Sequence, residues 1–199
     1  MKMIKLLGLL CGLLLIGGGL NIASATIISF DLQGTGGFGL LPGNENPATT
    51  GGSGGEVGAG IFFDDVTLQL TINIAWGSGN GFTNLTGVAT AGHIHGITDN
   101  PAPGSFTENK PVIIPLDSLA GWNPSATAGG FSGTVTLSAA QASALPQGRL
   151  YINVHTQANP GGEIRGYLVV PEPSSLALLA TGLGCAIAIS LRKRAQQRS

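Results

Sequence analysis

The chain contains three histidines, His93, His95 and His155, and their positions suit a shared metal ion. His93 and His95 are two residues apart, so on a β-strand both side chains point to the same side. His155 lies in residues 150–156, where apolar and polar residues alternate as in a strand with one face in a core. If these strands are neighbours, the three imidazoles converge, and imidazole nitrogen is a preferred ligand of copper and zinc. The pattern therefore predicts a candidate metal site with an open position for water or a ligand.

More polar side chains flank the last histidine. After the turn Pro160-Gly161-Gly162 the alternation resumes, with Glu163 and Arg165 on the face opposite the apolar residues. Two adjacent antiparallel strands would set His155 and Asn153 near Arg165 and Tyr167 on one surface. We therefore predict a structural or binding face made of Tyr151, Asn153, Glu163 and Arg165.

A structural interpretation of the histidines is also open. Neutral imidazole can donate and accept a hydrogen bond at once, which suits the pinning of loop carbonyls. No nucleophile–base pair lies in a strand-to-helix elbow, and Asp64 and Asp65 are adjacent rather than set across a cleft. The sequence therefore favours a protein that is not an enzyme, with no catalytic residue and no certain cofactor.

Charge and cysteine content exclude several classes. Residues 26–170 carry nine acidic and three basic side chains, a formal charge of about −6. Such a body repels phosphate backbones, so nucleic acid is excluded as a partner. The two cysteines, Cys11 and Cys185, lie in the apolar ends, so the middle has no disulfide, thiolate zinc site or cysteine nucleophile.

The elements that must position these residues are short. Residues 34–60 are rich in glycine and predict a loop, and residues 138–145 predict one or two helical turns that end at Pro146. About eight strands and their loops are typical of an all-β fold, here an antiparallel Greek-key or immunoglobulin-like sandwich. The predicted strands are residues 26–32, 58–64, 67–76, 88–97, 112–116, 131–137, 150–156 and 163–168.

Both ends of the chain have a different character. Residues 1–25 predict a helical signal peptide with a basic start, an apolar run and a cleavage site at Ala23-Ser24-Ala25. Residues 174–191 carry no charge and predict a transmembrane helix, followed by a basic tail, residues 192–199, that stays cytoplasmic. The predicted β-sandwich occupies residues 26–170, and residues 171–199 form the C-terminal segment.

That C-terminal segment resembles the PEP-CTERM sorting signal of Gram-negative bacteria. The likeness rests on Pro171-Glu172-Pro173, the apolar run and the cluster Arg192-Lys193-Arg194, in this order. It implies recognition by an exosortase, cleavage near Pro-Glu-Pro, transient membrane anchoring, and delivery to the cell surface or an extracellular matrix. Glu172 would then belong to a sorting signal and not to a catalytic site.

The middle of the chain resembles the CHRD (chordin) domain, a secreted β domain without an established activity. The matching pieces are His93-Ile94-His95-Gly96, residues 151–156 and residues 160–166, with residues 45–51 similar to the opening of the domain. The sequence departs from the family in a longer glycine insert at residues 51–55 and a proline-richer loop at residues 99–109.

A similarity of a few residues connects the chain to copper/zinc superoxide dismutases. It implies that His93, His95 and His155 match three copper ligands and that Arg165 matches the arginine that guides the anion. The zinc-side ligands and the disulfide cysteines of those enzymes have no counterpart here.

Together these features predict an exported protein with a binding or structural role at the cell surface. Its expected partners are an exosortase-type enzyme, the membrane before processing, and exopolysaccharide or surface proteins. The alternative is a copper or zinc protein, including a dismutase-like one, that uses the three histidines. A hydrolase of envelope polysaccharide or protein is a third hypothesis, which location alone supports.

Overall fold

The computed structural model describes residues 24–171, and antiparallel β-strands make up most of their regular structure. The all-β antiparallel prediction is confirmed. The strands are β1 (Ile27–Gly34), β2 (Gly37–Phe38), β3 (Gly54–Asp64), β4 (Gln69–Trp76), β5 (Ala89–His95), β6 (Val112–Pro115), β7 (Trp122–Asn123), β8 (Gly129–Thr136), β9 (Tyr151–Thr156) and β10 (Ile164–Val169). One α-helix, α1 (Ala139–Ala144), and four 3-10 turns complete the described elements: Pro42–Asn44, Ser78–Asn80, Gly104–Thr107 and Leu145–Gln147.

The sheet curls through its central strand, β1. Hydrogen-bonded neighbours follow the order β6-β5-β9-β10-β1-β3-β4-β8-β7, and β2 pairs with β1. Residues 27–30 of β1 pair with β3, whereas residues 31–33 pair with β10. One strand therefore joins the two layers of the sandwich. The predicted eight-strand scheme did not include a strand that both layers share. The Greek-key and immunoglobulin-like assignment stays a prediction.

Apolar side chains from both layers form one core, as the alternation predicts. Leu70, Ile72 and Ile74 of β4 lie in the same buried cluster as Ile152 and Val154 of β9. Burial of such side chains is the main driving force of folding and contributes about 1.5–3 kcal/mol for each large residue. The core thus fixes β9 with its alternate residues, Tyr151, Asn153 and His155, on the opposite face.

That opposite face is buried too, although its residues are polar. Asn153 and Arg165 are at most 3% exposed. The face lies beneath the segments around Glu45, Lys110 and Pro160, which contact its side chains. Polar groups can be buried at low cost only when they are paired, so this layer must be held by specific hydrogen bonds.

The glycine-rich stretch is where the prediction was wrong. Residues 34–60 contain β2 and the first part of β3 instead of a continuous loop. Gly54 pairs with Trp76, and a Cβ atom at Gly54 would lie 2.5 Å from the carbonyl oxygen of Ala75. Glycine here permits the close approach of two backbones. Composition alone does not distinguish such a glycine-rich strand from a glycine-rich loop.

The structure tests the predicted helical turns but not the predicted helices at the chain ends. Helix α1 is confirmed, and the Ser138 and Gln141 side chains form a capping box at its start. Within residues 24–171, no helix has the length and apolar content needed to cross a bilayer. Ala25 and Pro171 are exposed, whereas Ala23, Glu172, Pro173, both cysteines, the predicted signal helix and the predicted transmembrane helix lie outside the described residues.

Candidate metal centre

The structure brings the three histidines together. Strands β5 and β9 are neighbours, with His93 opposite Asn153 and Ala91 opposite His155. One ring nitrogen from each of His93, His95 and His155 lies within 4.8 Å of the other two. The closest pair is His93 Nδ1 and His155 Nε2, which are 3.1 Å apart. The condition for convergence of the three imidazoles, that the two strands are neighbours, is met in the structure.

The outer nitrogens of two rings are anchored on backbone carbonyls. His95 Nδ1 lies 2.7 Å from the Lys110 oxygen, and His155 Nδ1 lies 2.9 Å from the Pro160 oxygen. A carbonyl oxygen only accepts, so each Nδ1 carries the proton and each Nε2 keeps its lone pair. Such outer hydrogen bonds are the usual way in which proteins orient metal-binding imidazoles.

His93 is arranged the other way round. Its Nε2 lies 3.5 Å from Asp117 Oδ1, and its Nδ1 points at His155. The backbone amides of Leu116 and Asp117 both donate to the Gly92 carbonyl, which holds Asp117 beside the His93 strand. The candidate ligand set is therefore Nδ1 of His93 with Nε2 of His95 and of His155.

His95 has one ring nitrogen that is not satisfied. Its Nε2 is buried and has no hydrogen-bond partner among residues 24–171. The ring stacks on Tyr151 with centroids 4.9 Å apart and planes 5° from parallel, so it is held in this orientation. An unpaired buried nitrogen is costly, by about 1–3 kcal/mol.

Burial keeps the imidazoles in the form that binds metal. It lowers the pKa of His95 to about 4, against the opposing effect of the hydrogen bond to Lys110. Burial also lowers the pKa of His155 below its usual value, while the hydrogen bond to Pro160 opposes the shift. At neutral pH both rings are neutral, and a metal ion does not have to displace a proton from them.

The spacing is close to that of a metal site. Two nitrogens bound to one zinc ion at 2.0–2.1 Å with tetrahedral angles are about 3.4 Å apart. The 3.1 Å pair is near this value, and the 4.8 Å limit leaves a movement of roughly an ångström for the third ring. Three imidazoles with an open fourth position suit zinc or copper.

The predicted binding face adjoins the histidines, but Arg165 is engaged elsewhere. Its Nη2 forms a 2.8 Å ion pair with Glu45 Oε2, and both side chains are 3% exposed. Its guanidinium also lies 4.4 Å from the ring centroid of Tyr151, which stacks on His95. Burial raises the pKa of Glu45 to about 7, against the lowering effects of Arg165 and Asn153.

Glu163 stands apart from the histidines and ties loops together. Its carboxylate is fully buried and accepts hydrogen bonds from the Gly52 amide at 2.8 Å and the Thr86 amide at 2.9 Å. Side chains of Thr86, Thr156 and Asn159 also donate to it. Burial alone would raise the pKa of Glu163, but these hydrogen bonds together lower it. The buried carboxylate therefore ties the segments of Gly52 and Thr86 to the end of β9.

Two residues of the site, Asp117 and Glu45, were not predicted from the sequence. Asp117 follows β6, and only the fold places it against His93. Glu45 lies in the part of the chain that resembles the opening of the CHRD domain, but nothing in its spacing indicates that it meets Arg165, 120 positions along. The one signal in the sequence is their charge, because residues 26–170 carry only nine acidic side chains.

The fold and the site define an antiparallel β-sandwich domain with a buried polar face on which three histidines converge. The chain belongs to the CHRD domain family, whose model matches residues 38–168 and so includes all three histidines. The PEP-CTERM protein-sorting motif matches residues 169–194. Comparison with curated proteins and with solved structures found no match.

Both family resemblances predicted from the sequence are thereby confirmed. The sorting motif implies that the protein is exported and sorted to the cell envelope, with an exosortase-type enzyme as its processing partner. The similarity to superoxide dismutases stays an interpretation of a few residues.

Proposed function

We propose that this protein is an envelope-sorted domain that binds one zinc or copper ion through His93 Nδ1, His95 Nε2 and His155 Nε2. The observation that carries the proposal is the buried Nε2 of His95, which lacks a hydrogen-bond partner within the described part of the chain. One ring nitrogen of His95 lies within 4.8 Å of one ring nitrogen of each of His93 and His155. One metal ion would satisfy all three nitrogens.

The competing explanation is that the histidines only pin loops. It accounts for the hydrogen bonds of His95 and His155 to the Lys110 and Pro160 carbonyls. It does not account for an inner Nε2 left unpaired while the outer nitrogen of the same ring is satisfied. The metal proposal accounts for both nitrogens, since the outer bond orients the ring and the inner lone pair binds.

The rest of the proposal concerns location and role. The protein binds rather than catalyses, and it acts at the surface or in the exopolysaccharide matrix of a Gram-negative cell. Residues 1–25 direct export, residues 26–170 fold as the sandwich, and residues 174–191 anchor the chain until it is processed. The sorting motif at residues 169–194 supports this order of events.

Metal content of the purified chain tests the proposal. The full chain should be produced without a polyhistidine tag and without chelators, because either would distort the metal inventory. We expect about one zinc or copper ion per chain by elemental analysis, and saturable binding when zinc chloride is added to the metal-free protein. A chain that neither retains a metal nor binds added zinc or copper would overturn the proposal.

Replacing Asp117 with asparagine should weaken metal binding without removing it. The Asp117 carboxylate lies 3.5 Å from His93 Nε2, which favours a proton on that nitrogen and so leaves the lone pair of His93 Nδ1 for the metal. Loss of such an outer partner typically lowers metal affinity about 10- to 100-fold. Competition with a chromophoric chelator measures the change.

Asp31 supplies the matched control, because it is an exposed aspartate on β1. Asp31→Asn removes the same charge and should leave the affinity for zinc unchanged. Equal affinities in Asp117→Asn and Asp31→Asn would show that Asp117 does not orient His93.

A further inference from the structure

A cleft of about 430 Å³ opens beside the histidines, between loops that cover the polar face. Its lining includes His95, Tyr151, Asn153 and Arg165 from the strands, and residues 158–162 from one loop. The volume falls in the range of small-molecule sites, about 300–1,000 Å³. Of this lining, the proposed metal site uses His95 alone.

Four side chains of the cleft hold a buried polar atom with no hydrogen-bond partner in residues 24–171. Each of these residues is at least nine-tenths buried. The atoms are Glu45 Oε1, His95 Nε2, Asn153 Oδ1 and Arg165 Nε. A metal at the histidines accounts for His95 alone. Buried polar groups in native proteins are nearly always paired, so the other three indicate a missing partner.

The two unpaired oxygens lie under the same point of the loop. A Cβ atom built on Gly162 would be 2.4 Å from Asn153 Oδ1 and 2.6 Å from Glu45 Oε1. The Gly162 backbone therefore packs directly over both oxygens, and a ligand reaches them only when this loop moves aside. A ligand there must donate hydrogen bonds to Glu45 and Asn153 and accept one from Arg165.

The charges of the cleft are already paired. Glu45 forms an ion pair with Arg165, and Lys110 Nζ lies 2.8 Å from Asp99 Oδ2 and 3.5 Å from Glu108 Oε2. This balance favours a neutral ligand over an anion or a cation. The Tyr151 ring is covered by His95 and Arg165, so it offers no free face for an aromatic ligand.

We infer that the cleft binds one unit of a neutral sugar, whose hydroxyls donate to Glu45 and Asn153 and accept from Arg165. A hydroxyl group both donates and accepts, which matches this mixed set of unpaired atoms. Since the atoms are buried, entry requires the loop of Gly161 and Gly162 to move aside. The inference stands independently of the metal site, because it uses different atoms.

Saturation-transfer NMR on the full chain tests this inference. The detergent should carry no sugar headgroup, because a glycoside detergent would compete for the cleft. The probes are glucose, galactose, mannose and rhamnose, each free and as its methyl glycoside, with glucuronate as the charged comparison. We expect at least one neutral sugar to bind saturably and more tightly than glucuronate. If the methyl glycoside binds as well as the free sugar, the site accepts the end of a sugar chain. If it does not bind, the site accepts only free sugar.

Substitutions then place the sugar in the cleft. Asn153→Leu keeps the branched shape of the side chain and cannot accept a hydrogen bond, so it should weaken sugar binding about tenfold or more. Gly161→Ala is the control for the loop and should bind the sugar unchanged, because its Cβ would meet no atom within 4 Å. Circular dichroism of each variant reports whether the domain is still folded.

The outcomes separate the two proposals. If no sugar binds while zinc does, the cleft inference is wrong and the metal site stands. If a sugar binds equally to Asn153→Leu and to the unchanged chain, the sugar lies elsewhere and the inference is also wrong. Sugar binding by a chain that binds no metal would support the cleft inference and overturn the metal proposal.

Discussion

Replacing His155 with asparagine is expected to abolish specific metal binding, lowering the affinity for zinc by more than about 100-fold. The loss should exceed that of an outer partner such as Asp117, because a metal–nitrogen bond itself disappears. The amide nitrogen of asparagine can still donate to the Pro160 carbonyl, which His155 Nδ1 does now. The substitution therefore removes the ligand while keeping the hydrogen bond that holds the loop.

Zinc titration of the metal-free full chain, with circular dichroism as a check on the fold, measures this effect. Gln157→Ala is the control, since Gln157 is exposed and follows the same strand by one residue. Unchanged zinc affinity in a folded His155→Asn chain would contradict the three-histidine site. Loss of the fold together with the metal would instead favour the loop-pinning explanation.

The second large effect concerns stability. Replacing Glu163 with glutamine is expected to destabilise the domain by about 3 kcal/mol or more at pH 7. Both carboxylate oxygens of Glu163 accept hydrogen bonds from buried donors, including the Gly52 amide and Thr156 Oγ1. An amide puts a donor where one of these acceptors stood, and hydrogen bonds to a charged group are each worth about 1.5–3 kcal/mol.

Urea unfolding at several pH values measures the prediction. The pKa of Glu163 is lowered in the folded chain, so its contribution is complete above the ordinary glutamate pKa of about 4.3. It is lost as the pH falls through the lower folded value, because the protonated carboxyl no longer accepts as a charged group. The difference between the two chains should therefore shrink in acid and stay constant from pH 6 to 8.

Glu56 gives a matched comparison for this substitution. Its carboxylate accepts from the Leu32 amide, and burial raises its pKa, so the folded state favours its charged form less. Glu56→Gln should cost about 1 kcal/mol or less. A Glu163→Gln chain as stable as the Glu56→Gln chain would show that the buried carboxylate does not anchor the loops.

Acid should also weaken the metal-free domain through its histidines. The pKa of His95 is about 4 in the folded chain, below the ordinary value of about 6.5. Between these values the unfolded chain binds a proton that the folded chain does not. Stability therefore falls as the pH drops from about 6.5 toward 4, a window above that of Glu163.

The local pattern of residues already determined the strands that carry the site. Alternation in residues 150–156 and 163–168 placed apolar side chains in the core and Tyr151, Asn153 and Arg165 on the other face. That inference works because strand side chains alternate strictly, so one buried face specifies the other. The His-x-His spacing and the family motifs likewise needed no tertiary information.

Glycine-rich segments behaved differently. The first residues of β3 were predicted to be a loop because they lack apolar side chains, but they pair with β4. Their role depends on how closely two backbones approach, and this distance is a property of the folded sheet. Local composition cannot report it.

The sequence by itself determined an exported, sorted, all-β domain in which His93 and His95 share one face of a strand. Only the tertiary structure decided what meets the three histidines: the Lys110 and Pro160 carbonyls, the Asp117 carboxylate, and the Glu45–Arg165 pair that borders the cleft. The reason is physical. Alternation along a strand is a local constraint, whereas the partners of a buried polar group come from loops distant in the chain and are selected by the need to satisfy each group once water is excluded.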